Sequence, residues 1–309
     1  MRPNRRKAPA AETLMNRSGH HAFSFGRIAA ITANTFTELS RLKIFYVLLL
    51  FALLLIGSSL FMAQLTFQEE FQVLKDIALG SMSIFTSLLA VVATARLIPQ
   101  DLEDRTIYTI LAKPVSRLEY LLGKLAGVLL LLAISMIIMS ALFFIVLKLL
   151  EQTVLSETVR QIQGSPPEQM AEALGAVRAS AFNVNLWAGL GIIYVKACLL
   201  AALTLFVSTF ATTSIFTTVV MVFVYFIGHL QAVAREYWLQ TNSAGWLTKL
   251  FLAFVILLFP DLQLFNLVDD IVAGTAIPLA LFTRTATLGF FYTGFYLLLA
   301  WTVFYRKEL

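Results

Sequence analysis

The sequence predicts an all-α integral membrane protein with six transmembrane helices, and three observations carry that reading. The residues AVILMFWYC make up 59% of the 309-residue chain, well above the ~45–50% apolar content of ordinary soluble domains. Charged residues make up 13%, about half of the ~25% that covers a water-facing surface. Third, the chain contains six apolar runs of the length needed to cross ~30 Å of hydrocarbon, which takes roughly 20 residues at ~1.5 Å rise. Helix is the expected form, because backbone groups cannot stay unpaired in lipid. The composition excludes a soluble enzyme, a disordered chain and a collagen-like fibre. The single cysteine, Cys198, excludes a disulfide framework, and three histidines, His20, His21 and His229, leave little for a metal site.

In chain order, residues 1–21 carry Arg2, Arg5, Arg6 and Lys7 and read as a flexible basic tail, ahead of a single transmembrane domain at 22–309. From Phe25 to Lys43 the pattern is helical: Phe25, Ile28, Ala29, Thr32, Phe36 and Leu39 share one face, and Arg27, Asn34, Glu38 and Arg41 the other. This predicts an interfacial amphipathic helix leading into the first span; a soluble stub is the plainer alternative. The spans are expected at about 44–63, 77–95, 121–147, 186–210, 213–230 and 286–305. The boundary between the fourth and fifth rests only on Ser208, Thr209, Thr212, Thr213 and Ser214, so one long helix is the competing reading.

The loop 148–185 is long enough to hold helices of its own. Ser165-Pro166-Pro167-Glu168 places a capping Ser, a Pro at the helix start and a Glu three residues on, which predicts a helix to about Ala181. In the region 231–284, Phe251 to Phe259 is intensely apolar but too short to span, and Pro260 and Asp261 close it. That predicts a re-entrant or interfacial segment, with Trp238 and Trp246 at headgroup level.

Charge sets the orientation. With the N-terminus inside, the inner segments hold 15 of the 23 bases and the outer ones seven, which satisfies the positive-inside rule. The net charge of +5 therefore reads as an orientation signal with an anionic-lipid contribution rather than a nucleic-acid surface. Both termini are expected to be cytoplasmic, in a bacterial-type inner membrane.

The inner loop 96–124 carries the most information. Asp101, Glu103 and Asp104 after Pro99 favour a helix start by their interaction with the helix dipole, and Pro114 bounds its end, predicting one short helix over 101–113. Asp101, Asp104, Arg105 and Tyr108 form its polar face, Ile107, Ile110 and Leu111 its apolar one, and Asp101 to Arg105 is a favourable i,i+4 pair. Such a helix can press on a soluble partner and pass motion to the spans; an ordinary solvated loop is the alternative.

The run Asp101-Leu102-Glu103-Asp104-Arg105-Thr106, with Leu111, Pro114-Val115-Ser116-Arg117 and Gly123-Lys124, resembles the first cytoplasmic loop of ABC-2 type permeases, the membrane subunits of a class of ABC transporters. Pro260 to Asn266 resembles the segment those permeases carry after their fifth span, and Tyr305 to Leu309 their C-terminal ending. Arg105 departs from the pattern, where Gly commonly precedes the Thr. The resemblance implies a permease subunit of an exporter that docks a separate cytosolic ATPase through its interfacial helix and a coupling helix between spans two and three. It also implies a homodimer or heterodimer with a second permease, and re-entrant helices between spans five and six. The implied coupling surface is Asp101, Glu103, Asp104, Arg105 and Thr106, with Lys113, Pro114, Ser116 and Arg117 fixing the turn into the third span. No cofactor is expected on this chain, and ATP and Mg would be used by the partner. No phosphate-binding loop occurs: beside Gly123-Lys124, Leu118 and Leu125 stand where Gly and Ser or Thr are required.

Rival classes have thinner support. Glu69-Glu70 lacks a neighbouring base, and neither H-E-x-x-H nor G-x-S-x-G is present, so an enzyme is not expected. A secondary transporter, or another polytopic membrane protein without an ATPase partner, is the alternative. Lys196 lies in the fourth span, where insertion costs roughly 2.5 kcal/mol or more, and it is either a pathway residue or a structural one.

Overall fold

The computed structural model describes residues 24–66, 69–105, 115–163, 166–240, 246, 250, 259–275 and 277–306, with the side chains of 232–240 and of residue 269 left aside. Six of its helical segments are long and apolar enough to cross a membrane: Lys43–Gln64, Glu70–Glu103, Arg117–Gln161, Pro167–Phe210, Ser214–Gln231 and Leu279–Arg306. No strand occurs among the described residues.

The helices are α1 (Phe25–Ser40), α2 (Lys43–Gln64), α3 (Glu70–Ala95), α4 (Leu97–Glu103), α5 (Arg117–Gln161), α6 (Pro167–Ala181), α7 (Asn185–Phe210), α8 (Ser214–Gln240), α9 (Val268–Val272) and α10 (Leu279–Arg306). A 3-10 turn at Leu262–Phe265 precedes α9. The expected third span is only part of α5, which continues through much of the expected 148–185 loop. The helix expected after Ser165 runs over Pro167–Ala181 with Pro at its start. Between the fourth and fifth spans the chain breaks at Ala211, whose backbone is extended (φ −70°, ψ 144°), so two helices form and the single-helix alternative is excluded.

Helix α7 is the centre of the bundle. Its most apolar window is 83% buried, against 22% for α2 and α10, whose apolar side chains mostly face outward. Small residues let its neighbours close on it, as expected where packing replaces water exclusion as the driving force. A Cβ at Gly289 of α10 would sit 2.1 Å from Val195 Cγ1, and one at Gly189 would sit 2.2 Å from Ile271 Cδ1 of α9. Hydroxyls inside the bundle are returned to their own helices: Ser81 to the Ile77 carbonyl, Thr86 to Met82, Ser87 to Ser83 and Thr204 to Leu200, each at 2.6 Å.

The apolar face of α1 does not pack as the helical pattern suggests. Thr35 and Leu39 are buried, while Phe25 is 81% exposed. The contact face is rotated towards Ile31 and Thr35 because Gly123 and Gly127 on α5 leave a shallow strip: a Cβ at either would lie 2.7 Å from Ile31 Cβ or Thr35 Cβ. Thr32 Oγ1 donates to the Gly123 carbonyl at 3.3 Å across the same seam. Arg41 and Leu42 interrupt the helix between α1 and α2, which frees α1 to lie along α5.

Of the 231–284 region, the apolar run 251–258 lies outside the described residues. The stretch from Phe259 to Val272 turns back onto the bundle: Leu262, Phe265 and Ile271 are buried, and a Cβ at Gly228 of α8 would meet Leu262 Cγ at 2.7 Å. Asn185 at the start of α7 holds the far side, donating to the Thr275 carbonyl at 2.7 Å.

Gly127→Leu is expected to lever α1 off α5 at an overpacking penalty of about 1–3 kcal/mol. Hydrogen exchange should then speed up across residues 27–39 and the unfolding midpoint in detergent should fall. Gly57→Leu, at a position with nothing within 4 Å of its Cβ, is the control and should change neither.

Candidate functional site

The basic end of the bundle brings together α1, α4, the start of α5 and the end of α10 around two buried charges on α5. Ser116 caps α5: its Oγ accepts from the Glu119 N–H at 3.2 Å, and the Glu119 carboxylate accepts from the Ser116 N–H at 2.8 Å, a reciprocal capping box. The same carboxylate reaches outward to α1. Glu119 Oε1 accepts from the Ser24 N–H and from Arg27 Nη2, both at 2.7 Å. One fully buried carboxylate thereby joins two helix N-termini, where the dipoles favour negative charge.

Five residues along α5, Lys124 is equally enclosed. Its ammonium pairs with Asp101 at 2.7 Å and approaches Glu38 of α1 at 3.6 Å. Tyr120 donates its hydroxyl to Asp101 and stacks on Phe304 of α10, ring centroids 5.8 Å apart. Arg117 donates to the Phe304 and Tyr305 carbonyls, each at 2.7 Å. These belong to the last turn of α10, where carbonyls lack helical partners.

The sequence-expected coupling residues separate into three groups. Asp101 is buried against Lys124 and Tyr120, an internal ion pair that the i,i+4 spacing to Arg105 does not announce. Ser116 and Arg117 are the anchors just described. Glu103, Asp104 and Arg105 are at the tip of α4, and all three are exposed. Thr106, Lys113 and Pro114 lie outside the described residues, as does Tyr108.

The helix expected over 101–113 starts earlier and is broken at Asp104 and Arg105, and residues 106–113 lie outside the described residues. Helix α4 begins at Leu97 and ends at Glu103. Pro99 falls within its first turn, where a missing N–H has no helical acceptor to lose. Arg105 ends it with φ +56°, a left-handed conformation that glycine adopts without strain. This is the position at which the sequence departs from the ABC-2 pattern by lacking Gly.

Glu119, Tyr120, Lys124 and the Gly123–Gly127 strip were not among the expected site residues. The Ser116-x-x-Glu119 spacing signals the capping box, and the Gly spacing a close helix contact. Neither pattern by itself names its partner.

Away from this end, Lys196 of α7 is buried among neutral groups: His229 Nε2 at 3.2 Å, Ser83 Oγ at 3.4 Å and the Tyr225 ring, whose centroid is 5.6 Å from Nζ. At the opposite end Glu70 lines a cavity of about 330 Å³ with Glu157, Thr158 and Gln161. No base lines that cavity among the described residues, so the Glu69-Glu70 pair gains no catalytic partner there.

These features define the class: a multi-pass, all-helical membrane protein whose basic end carries a short helix braced from inside. Residues 35–166 match the family model described as ABC-2 family transporter protein, over α2 to α5 and the loop that carries the Asp101–Arg117 motif. The resemblance to ABC-2 type permeases is borne out over that segment, and such permeases are membrane transport components, not themselves catalytic. No curated protein matches the chain.

Two predictions concern this end. Lys124→Met leaves the Asp101 carboxylate buried without its cation and should destabilise by about 3–5 kcal/mol. Adding Asp101→Asn should recover much of that, a coupling that a double-mutant cycle of detergent unfolding measures. Arg105→Gly should relieve the left-handed residue and stabilise by about 1 kcal/mol, whereas Arg105→Val should destabilise.

Proposed function

We propose that the chain is the permease subunit of an ABC-2 type exporter, forming a substrate path and coupling it to a separate cytosolic ATPase. The observation that carries the reading is the family match across residues 35–166, which contains the braced α4. In this reading the basic end is cytoplasmic and both termini lie there, in a bacterial-type inner membrane. Helix α1 rests its exposed apolar flank, with Phe25, in the interface.

The docking surface is the tip of α4, namely Glu103, Asp104 and Arg105, together with Thr106. Asp101, Ser116 and Arg117 act from behind it as positioning residues, and Lys113 and Pro114 shape the return into α5. ATP and Mg are used by the ATPase. Two permeases, identical or different, pair to enclose the path, using apolar faces of the kind α2 and α10 leave exposed. ATP-driven closure of the ATPases pushes the α4 tip, and the buried contacts of Asp101 carry that push to α5.

Purification from native membranes should recover a polypeptide with a phosphate-binding loop, and ATP hydrolysis with it. Glu103→Lys with Asp104→Lys should reduce both about tenfold, equivalent to ~1.4 kcal/mol, while membrane insertion stays intact. Stable recovery of an active transporter without any such polypeptide would overturn the reading and favour a secondary transporter.

A further inference from the structure

The middle of the bundle holds a cation that the contacts around it do not neutralise. Lys196 is 2% exposed. Its neighbours at hydrogen-bonding range are a serine hydroxyl and an imidazole nitrogen, and none of the ion pairs among the described residues includes it. His229 Nδ1 lies 2.9 Å from the Tyr225 carbonyl, which fixes the proton there and turns the Nε2 lone pair to the ammonium. The Asp261 carboxylate acts electrostatically on His229, which itself approaches Lys196, and so the acid is part of the surroundings. A buried ammonium with neutral first neighbours is expensive in a membrane, and such residues face a cavity or a partner.

A cavity is present one helical turn away. Between α3 and α8 lies a groove of about 190 Å³ lined by Ile84, Ser87, Leu88, Val91, Met221 and Tyr225, among others. That volume is ample for water and for a segment of one acyl chain. Its walls are almost wholly apolar, and Ile84 and Phe226 at its rim are exposed. Ser87 and Tyr225 form the groove's polar end. Ser83 and His229, each four residues away along the same helices, hold Lys196. Tyr225 and His229 are only partly buried, their rings tilted at 43° with centroids 4.3 Å apart, and the Tyr225 ring both lines the groove and faces the ammonium.

The geometry points to a binding site for a single-chain amphiphilic anion, its apolar body in the α3–α8 groove and its acidic group on Lys196 Nζ once Tyr225 swings aside. Apolar walls select the chain and the enclosed ammonium selects the charge. Ser83 and His229 hold the ammonium in place, so no lysine side chain needs to be ordered on binding. As a substrate site this rests on the exporter reading; as a binding site it does not.

The test is equilibrium binding of spin-labelled stearic acid to the purified full chain in phosphatidylcholine nanodiscs, beside its methyl ester. The acid should bind at least tenfold more tightly than the ester, and Lys196→Met should bring the acid down to the ester. Lys196→Arg should keep most of the preference, and Val222→Trp, filling the groove, should weaken acid and ester alike. Phosphatidylglycerol in the nanodisc should not displace the acid; if it does so at equimolar ratio, the site is one for anionic bilayer lipid and the single-chain assignment falls. Equal binding of acid and ester, or an unchanged acid affinity in a folded Lys196→Met protein, would overturn the proposal. The assay contains no ATPase, so its failure leaves the exporter reading standing, and loss of ATPase recovery leaves the binding result standing.

Discussion

Two full charges, Glu119 and Lys124, are withdrawn from water within the first turns of α5, and the helices at that end are placed so as to satisfy them. A lone buried charge carries a penalty of several kcal/mol, so each must be met by partners in fixed positions. Glu119 takes the N-terminus of α1 through Ser24 and Arg27. Lys124 takes Asp101 of α4 and, at longer range, Glu38 of α1. Separate stretches of chain are thereby referred to one helix, and neither α1 nor α4 can shift far without exposing a charge to an unsuitable neighbour.

That arrangement explains why a helix as short as α4 has a defined place. Seven residues are too few for helix propensity to hold it. Its inward side supplies Leu97, Ile98 and Asp101 to the core, and its outward side is left to Glu103 and Asp104. The strain at Arg105 lies at the junction between the braced part and the exposed one. Arg117 extends the same frame to α10 by taking its terminal carbonyls, so the start of α5 also fixes where the last helix ends. The frame is electrostatic at one end of the bundle and steric at its centre, where Gly189 and Gly289 admit Ile271 and Val195.

The division between what the sequence discloses and what it conceals depends on the range of each force. The spans depend on hydrophobicity summed over about twenty residues, and their helices form where that sum places them. The start of α6 has Pro167 at its first position, where a fixed φ suits a helix, and is likewise readable, while the expected cap Ser165 lies outside the described residues. The face of α1 is different: the helical pattern identifies its apolar side, but the depth of the groove it meets is set by Gly123 and Gly127, far along the chain on α5. Pro99 reads as a boundary in isolation and is harmless inside the first turn. Asp101 illustrates the limit most clearly. Its spacing to Arg105 suits a surface ion pair, worth only ~0–1 kcal/mol, and nothing local discloses the desolvated partner Lys124, which would cost several kcal/mol if left bare.

Two of the buried lysines, Lys124 and Lys196, differ by the same comparison. Lys124 is met by a carboxylate at 2.7 Å and belongs to the scaffold. Lys196 is met by a hydroxyl, an imidazole and a ring face, which soften its burial without cancelling its charge. If holding helices together were its only role, an apolar residue of similar volume would serve as well or better, as replacements of buried ion pairs show. A cation kept at that depth in neutral company is suited to an anion that comes and goes. The half-buried Tyr225 and His229, at the edge of an apolar groove, stand where such an anion would enter.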